Sequence, residues 1–158
     1  MRITDPAGLP PRAPLVIDTH VWVWFAVGDA SKLHQNIPDV LERAAREQRL
    51  FASVASVWEI ALKAERGELR VGADLHAWVA EQQSAPGVRL LSIVAPVAID
   101  STTLPPWIRR ADGRPHRDPN DRFIVATARR RNAVLVTCDG PVLDYSDEGH
   151  VTALDARP

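Results

Sequence analysis

Two short apolar runs, each followed closely by an aspartate, constrain the fold of this chain more than any other feature. The first is LVID at 15–18, and the second is AVLVT at 133–137, which one residue separates from Asp139. LVID does not alternate between apolar and polar residues, which is the pattern of a strand buried on both faces of its sheet. Strands of that kind are typical of parallel sheets that helices cover on both sides.

Helical segments separate the strand candidates. Apolar periodicity, caps and glycine stops predict helices at 19–27, 37–48, 53–66, 74–84, 96–103 and 119–131. Short apolar runs predict strands at 15–18, 49–52, 88–94, 133–137 and 151–154, and we expect a loop at 105–115. This alternation predicts an α/β fold, a three-layer α/β/α sandwich around a central, mainly parallel sheet.

The length of 158 residues suits one domain with a continuous core. Prolines interrupt residues 1–13 where a signal peptide would need an apolar core, so we expect a flexible leader there and a single domain over 14–158. The longest apolar run, 21–27, is too short to span a bilayer. Cys138 is the only cysteine, which excludes an internal disulfide and fits a reducing compartment. We therefore predict a cytoplasmic protein without a membrane partner.

Parallel strands bring the residues at their carboxyl ends to one edge of the sheet, where such folds bind ligands. Asp18 and Asp139 follow two of the strand candidates, so we expect them at the same edge. Each also has a structural alternative. Asp18 is a favourable N-cap for the next helix, and Asp139 lies in CDGP, which is a turn sequence.

Glu59 is the only charged residue of the segment 54–62. At helical spacing it shares a face with Ala55, so we expect its side chain to point inward. The alternative is a capping box in which Ser56 is the N-cap and Glu59 follows three residues later. A helix that begins at Ser53 places Glu59 in the second turn and favours a functional role.

The segment HRDPNDRFIVATA at 116–128 brings a carboxylate onto an apolar helix face. Asp118 and the proline after it match an N-cap and a first helical position, which is a sufficient structural role. Asp121 shares its face with Ile, Val and Ala residues one and two turns further on. Because an unpaired carboxylate on such a face is costly, we expect Asp121 to point toward Asp18 and Asp139.

Four carboxylates in one cleft would repel one another and raise some of their pKa values unless a cation neutralised them. We expect no lysine beside these segments. Ligation by oxygen alone selects Mg²⁺ or Mn²⁺ over zinc, and the five histidines show no paired ligand spacing. Such an ion can deprotonate a bound water and stabilise charge on a phosphoryl oxygen, so the predicted reaction is phosphodiester hydrolysis.

Four segments, in this order and spacing, carry a family resemblance: VIDTH at 16–20, SVWEIALK at 56–63, HRDPNDRFIVATA at 116–128 and VTCD at 136–139. They resemble the PIN-domain ribonucleases, and most of all the VapC toxins of type II toxin–antitoxin pairs. Shorter matches are RGEL at 66–69, LPP at 104–106 and VLDY at 142–145. The resemblance covers about residues 15–155.

The resemblance implies a PIN-like fold and an acidic quartet, Asp18, Glu59, Asp121 and Asp139, that holds Mg²⁺ or Mn²⁺. Asp18 and Asp121 would be the most direct ligands, and Asp118 would be auxiliary, in agreement with its capping role. The resemblance further implies an endoribonuclease toxin, a cognate antitoxin that blocks its site, and homodimerisation.

The net charge of −1 means that contact with an RNA backbone requires a local basic patch. The loop at 105–115, which is longer than the usual link in this family, and its continuation offer five candidates: Arg109, Arg110, Arg114, His116 and Arg117. They form either a solvated loop or a phosphate-binding lip beside the metal.

Four of the five tryptophans, Trp22, Trp24, Trp58 and Trp78, lie in predicted helices. Core packing is the first explanation for them, and an apolar groove for a partner is the second.

Two other functions stay open at this point. One is a PIN-like scaffold that binds RNA or protein without catalysis, although the intact quartet argues against it. The other is a phosphatase with Asp18 as nucleophile. A haloacid-dehalogenase-like enzyme would need a second aspartate at the position of His20, and a receiver domain would need a lysine after a late strand, which the chain lacks.

Overall fold

A computed structural model describes residues 1–84 and 86–158 of the chain. Its strands are β1 (Arg2–Ile3), β2 (Leu15–Ile17), β3 (Leu50–Ser53), β4 (Arg89–Leu91), β5 (Val134–Thr137) and β6 (Ala153–Asp155). They form one sheet in the order β1-β6-β5-β2-β3-β4, and each of these neighbouring pairs is parallel. The predicted central sheet is confirmed, and its described pairings are parallel throughout.

The helices of the described residues are α1 (Thr19–Val27), α2 (Ile37–Arg46), α3 (Val54–Glu65), α4 (Leu75–Gln82), α5 (Ala95–Thr102), α6 (Pro119–Arg130) and α7 (Gly140–Asp147). Short 3-10 turns occupy Pro6–Gly8 and Ala30–Lys32. The helix α1 matches its prediction at both ends, and the other five predicted helices begin and end within two residues of their expected positions. The helix α7 was not expected from the sequence.

The central strand β2 shows why the fold has three layers. Leu15 and Ile17 point to one face of the sheet, where they pack with α1, α2 and α4, and Val16 points to the other, where it packs with α6 and α7. All three residues are fully buried. A strand that is buried on both faces does not alternate between apolar and polar residues, which agrees with the continuous apolar sequence LVI.

Side-chain caps fix where the helices begin. Ser53 accepts a hydrogen bond from the backbone N–H of Ala55 at 3.1 Å, so α3 begins after Ser53 and the capping box at Ser56 is wrong. Asp74 and Asp118 cap α4 and α6 as predicted. The caps at Ser53 and Asp118 fix the starting points of the helices that carry Glu59 and Asp121.

The N-terminal segment differs from its expectation. Residues 1–13, expected to be a flexible leader, begin with β1, which pairs with β6 at the edge of the sheet. Arg2 forms ion pairs with Asp147 and Asp155, which hold the strand in place. None of the described helices combines the length and apolar character needed to cross a bilayer.

Candidate metal centre and nucleic-acid interface

Asp18 and Asp139 lie at the carboxyl ends of neighbouring strands. Asp18 directly follows β2 and caps α1, and Asp139 follows β5 after one residue and caps α7. Since β2 and β5 pair in parallel register, both caps lie at one edge of the sheet, as the sequence predicted. Each acid therefore caps a helix, and the cap positions its side chain at this edge of the sheet.

A threonine that the sequence analysis missed connects these two aspartates. Thr137, the last residue of β5, donates its hydroxyl hydrogen to Asp18 Oδ2, and its oxygen accepts the backbone N–H of Asp139 at 2.9 Å. The other oxygen of Asp18 accepts the N–H of Val21 at 3.0 Å. Asp18 is 8% exposed, and burial raises its pKa to about 6 against the lowering effect of these hydrogen bonds.

Glu59 is half-buried and is held by several donors. The Thr19 hydroxyl donates to Glu59 Oε2 at 2.7 Å, and the Asn120 amide lies 3.5 Å from the same oxygen. Lys63 lies 2.8 Å from Oε1, so the expectation of no lysine beside the acids is wrong. Burial raises the pKa of Glu59, but the hydrogen bonds from Lys63 and Thr19 outweigh it, and the pKa is lowered overall.

Asp121 is half-buried on the first turn of α6, on the face that also carries the buried Ile124 and Val125. Its Oδ2 lies 2.7 Å from Nε2 of His116. Burial raises the pKa of Asp121, and the charges of Asp139 and Asp118 raise it further. Asp139 also raises the pKa of Asp18, so its charge acts on both of the other aspartates.

Asp118 is exposed and accepts the backbone N–H groups of Asn120 at 2.9 Å and Asp121 at 3.3 Å. The sequence placed it outside the quartet as an auxiliary residue. Its hydrogen bonds show what this auxiliary role is. Asp118 caps α6 and so fixes the first helical turn, from which Asp121 projects.

Over residues 1–84 and 86–158, no three His, Cys, Asp or Glu side chains are grouped so that they could hold a metal ion as they stand. Each acid instead faces protein donors, which are hydroxyl and backbone groups for Asp18, Lys63 for Glu59, His116 for Asp121 and the backbone N–H of Val142 for Asp139. A quartet gathered around one ion therefore stays a prediction.

The donor chemistry at this edge is that of oxygen ligands. Carboxylate oxygens suit Mg²⁺ and Mn²⁺, whereas thiolate and imidazole sets favour zinc. Cys138 lies beside Asp139, but burial raises the pKa of its thiol to about 12, so it stays protonated. The residues present thus fit a hard divalent ion rather than a soft one.

The sequence matches a family model over most of its length. The model is that of the PIN domain, and it matches residues 15–145. The chain belongs to the PIN-domain family. The resemblance found in the four sequence segments is confirmed at this level. No curated protein matches the sequence.

Solved structures have the same fold. The chain is similar to one in VapBC2 from Rickettsia felis bound to a promoter DNA fragment, with a TM-score of 0.61, 14% identity and coverage of 90% of this chain and 98% of that chain. Similarity to DNA-bound VapBC from Salmonella typhimurium has a TM-score of 0.61, 17% identity and coverage of 90% and 98%. For VapC20 from Mycobacterium tuberculosis, a toxin that cleaves the sarcin–ricin loop, the values are 0.55, 23%, 91% and 99%. At these identities the likeness establishes the fold alone.

Two arginines of the arginine-rich loop of this PIN domain pair with acids, one in the loop and one on α7. Arg109 pairs with Asp112, and Arg110 lies 3.2 Å from Asp144, while Arg114 and Arg117 are exposed. An open depression beside Asp118 is lined by Arg109, Arg114 and Arg117. His116 lines the same depression, although it is buried and only 8% of it is exposed.

The tryptophans divide between core and surface. Trp22 and Trp78 are buried, which confirms core packing for these two, and Trp24 is half-buried. Trp58 is 60% exposed and lines a groove of about 720 Å³ between α3 and α6, whose wall includes Glu59 and Asn120. An apolar surface therefore adjoins the acids.

Four polar residues at the site escaped the sequence analysis: Thr19, Lys63, Asn120 and Thr137. Lys63 had a readable signal, because it follows Glu59 by four residues on one helix, which is the spacing of a helical ion pair. The two threonines lie in the segments VIDTH and VTCD, but no spacing rule indicates their partners, because each meets an acid on a different element.

Proposed function

We propose that this protein is a divalent-metal-dependent endoribonuclease and the toxin component of a type II toxin–antitoxin pair, similar to VapC. The observation that carries the proposal is the buried Asp18, which meets hydroxyl and backbone donors at the sheet edge where Asp139 also lies. The neighbouring charge of Asp139 acts on both Asp18 and Asp121. Burial and neighbouring negative charge raise the pKa values of Asp18 and Asp121, and such raised pKa values are expected of carboxylates at a cation site.

Asp18, Asp121 and Asp139 would hold the ion, with Glu59 as the fourth acid, and Mg²⁺ or Mn²⁺ suits their oxygens. When bound, such an ion lowers the pKa of water and stabilises charge on a phosphoryl oxygen. The protein's own contribution is to hold the acids in place. Thr137 positions Asp18, Thr19 and Asn120 position Glu59, and the cap at Asp118 starts the helix that carries Asp121.

RNA is the proposed substrate, and its backbone would be held by cations beside the acids. Arg114 and Arg117 are exposed around the depression next to Asp118, where they can neutralise phosphates without reading sequence. Support for RNA cleavage comes from membership of the PIN-domain family and from the likeness to VapC20, which is itself a sarcin–ricin loop cleaving toxin.

The proposed partners are an antitoxin protein and a second copy of the chain. Support for the antitoxin comes from the VapBC complexes among the similar structures, in which a chain of this fold occurs. The groove beside Trp58 and the half-buried Trp24 offer apolar surface for such partners.

A cleavage assay with a matched pair of variants tests the proposal. Asp18→Asn keeps the N-cap of α1 but removes the negative charge from the edge, and Asp74→Asn makes the same change at the cap of α4. We expect the wild type and Asp74→Asn to cut single-stranded RNA with Mn²⁺ and to stop in EDTA. Asp18→Asn is expected to be inactive while folded. RNA cleavage by Asp18→Asn, or by the wild type in EDTA, contradicts the proposal.

A further inference from the structure

His116 occupies an unusual place for a residue of an arginine-rich loop. Its side chain is buried, whereas Arg114, Pro115 and Arg117 around it are exposed. The loop turns back on itself just before this point, where Ile108 and Pro115 form an isolated antiparallel bridge. The chain thus directs one imidazole inward and its neighbouring arginines outward.

The imidazole meets one oxygen of Asp121. Nε2 of His116 lies 2.7 Å from Oδ2 of Asp121, which is a full hydrogen bond. An ionised carboxylate can only accept, so Nε2 carries the proton in this contact. Among the described residues the hydrogen bonds of this carboxylate involve Oδ2 alone.

Aromatic stacking fixes the plane of the imidazole. Its ring lies 4.2 Å from that of Trp107, with an angle of 30° between the planes, and Trp107 in turn stacks on Tyr145 at 4.4 Å. The indole N–H donates to the carbonyl of Pro141 at 3.1 Å, and the Tyr145 hydroxyl donates to the carbonyl of Pro105 at 2.9 Å. The support for His116 is therefore a packed and hydrogen-bonded stack.

The backbone of His116 is equally constrained. Its N–H donates to the carbonyl of Trp107 at 2.8 Å, and its carbonyl accepts from Arg122 at 3.1 Å. Arg122 also donates to the carbonyl of Ser101 at 2.8 Å, so it ties the loop to α5 as well as to α6. Little freedom is left in either the ring or the main chain.

We propose that His116 is a positioning residue for Asp121. By holding Oδ2, it gives the carboxylate one orientation in which to bind a divalent cation, as hydrogen-bonded partners of ligands do in metal sites. The inference rests on the proposed function and extends it. It also gives His116 a role different from the RNA contact that the sequence suggested.

Mn²⁺ binding to the full chain without RNA, measured by titration calorimetry, tests this role apart from catalysis. His116→Phe keeps a ring against Trp107 but cannot donate to Asp121, and we expect its affinity for Mn²⁺ to fall about 10- to 100-fold. His116→Gln keeps an N–H donor and loses the ring, and we expect its affinity to stay close to that of the wild type. The exposed His76 supplies the control variant His76→Phe, which should bind as the wild type does.

The outcomes separate the possible failures. Wild-type affinity in His116→Phe, or an equal loss in folded His116→Phe and His116→Gln, overturns the positioning role while the proposed function stands. A wild-type chain that binds no Mn²⁺ overturns both proposals. If circular dichroism shows that His116→Phe does not fold, His116→Leu takes its place beside His116→Gln, with the same expected loss.

Discussion

Two aspartates at the same edge of the sheet differ in their partners within residues 1–84 and 86–158: Asp155 is paired with arginines, and Asp18 is not. Asp155 ends β6, pairs in register with Thr137, and lies in ion pairs with Arg2 and Arg157. Asp18 accepts a hydrogen bond from the same Thr137, but among the described residues its donors are hydroxyl and backbone groups alone. Both are largely shielded from solvent, Asp18 more deeply than Asp155: the side chain of Asp155 is 12% exposed, and Asp18 is 8% exposed.

Their pKa values record the difference. Burial raises the pKa of both acids, but hydrogen bonds from Arg157 and Arg2 bring that of Asp155 down to about 2. Asp18, without a cation, has a pKa of about 6. A carboxylate that has its own cation stabilises the fold, and one that lacks it costs stability and is free to bind a cation from solution.

Glu59 lies between these two cases. Lys63 supplies a cation, yet Thr19 and Asn120 also approach the carboxylate from the side of the other acids. The lysine lowers the pKa of Glu59 and keeps it ionised. Glu59 can therefore contribute negative charge to the site without the loss of stability that comes from the ionised Asp18.

The largest expected effect is on RNA cleavage, which should distinguish an acid of the proposed metal site from an acid that is paired with arginines. Asp121→Asn removes a charge from the proposed metal site and is expected to lower the RNA cleavage rate about a thousandfold, since a bound metal contributes several kcal/mol to such reactions. Asp155→Asn, assayed below its unfolding temperature, should keep the wild-type rate. Equal losses in the two variants would erase the distinction between them.

The next largest effect is on stability: Asp18→Asn and Asp155→Asn should change the free energy of unfolding in opposite directions. In EDTA at pH 7.5, Asp18→Asn should raise the free energy of unfolding by up to about 3 kcal/mol, because folding raises the pKa of Asp18 from 3.8 to about 6. Asp155→Asn should lower it by about 2 kcal/mol, because folding lowers that pKa from 3.8 to about 2. Urea unfolding measures both changes.

The pH dependence follows from the same shifts. Protonated Asp18 is favoured by folding, so the wild type loses stability as the pH rises from about 4 to 6. The advantage of Asp18→Asn should shrink to about 1 kcal/mol at pH 4.5. The ionised form of Asp155 is favoured by folding, so its contribution is present above about pH 4 and is lost as the pH falls toward 2. An Asp18→Asn variant that is less stable than the wild type at pH 7.5 would reverse the comparison.

The smallest effect tests the intermediate case. Lys63→Met leaves Glu59 without its cation, and we expect the unfolding free energy to change by less than about 1 kcal/mol, as for other partly exposed pairs. Removal of this positive charge should tighten Mn²⁺ binding by less than about tenfold at low salt. Lys32→Met, at an exposed position, is the control. Weaker Mn²⁺ binding by Lys63→Met would mean that the lysine supports the site rather than competing with the ion.

Much of the fold could be predicted because buried parallel strands and capped helices leave local patterns. LVI at 15–17 and the caps Ser53, Asp74 and Asp118 gave the order and the limits of their elements. β1 could not be found, since two residues at a sheet edge show no periodicity. The helix α7 was missed because its first residues, Gly140 and Pro141, are those of a turn.

The site was predictable only in part. Strand ends predicted Asp18 and Asp139 at one edge of the sheet, which the parallel register of β2 and β5 confirms. That Asp121 points toward them was predicted from its helix face and stays a prediction. The partners of the acids were not predictable, because Thr137 and His116 reach them across the sheet edge or from a loop, where no periodic rule applies. Sequence patterns locate charges, and the partners that decide their energies come from tertiary packing.

The most direct test of the central claim is a crystal structure of the chain grown with Mn²⁺, with the ion located by its anomalous scattering. We predict a peak in the anomalous map within about 2.5 Å of carboxylate oxygens of Asp18 and Asp121. We predict no peak at Asp155, because Arg2 and Arg157 already neutralise its charge. A map with no ion at Asp18 and Asp121, at Mn²⁺ concentrations that support RNA cleavage, would contradict the account.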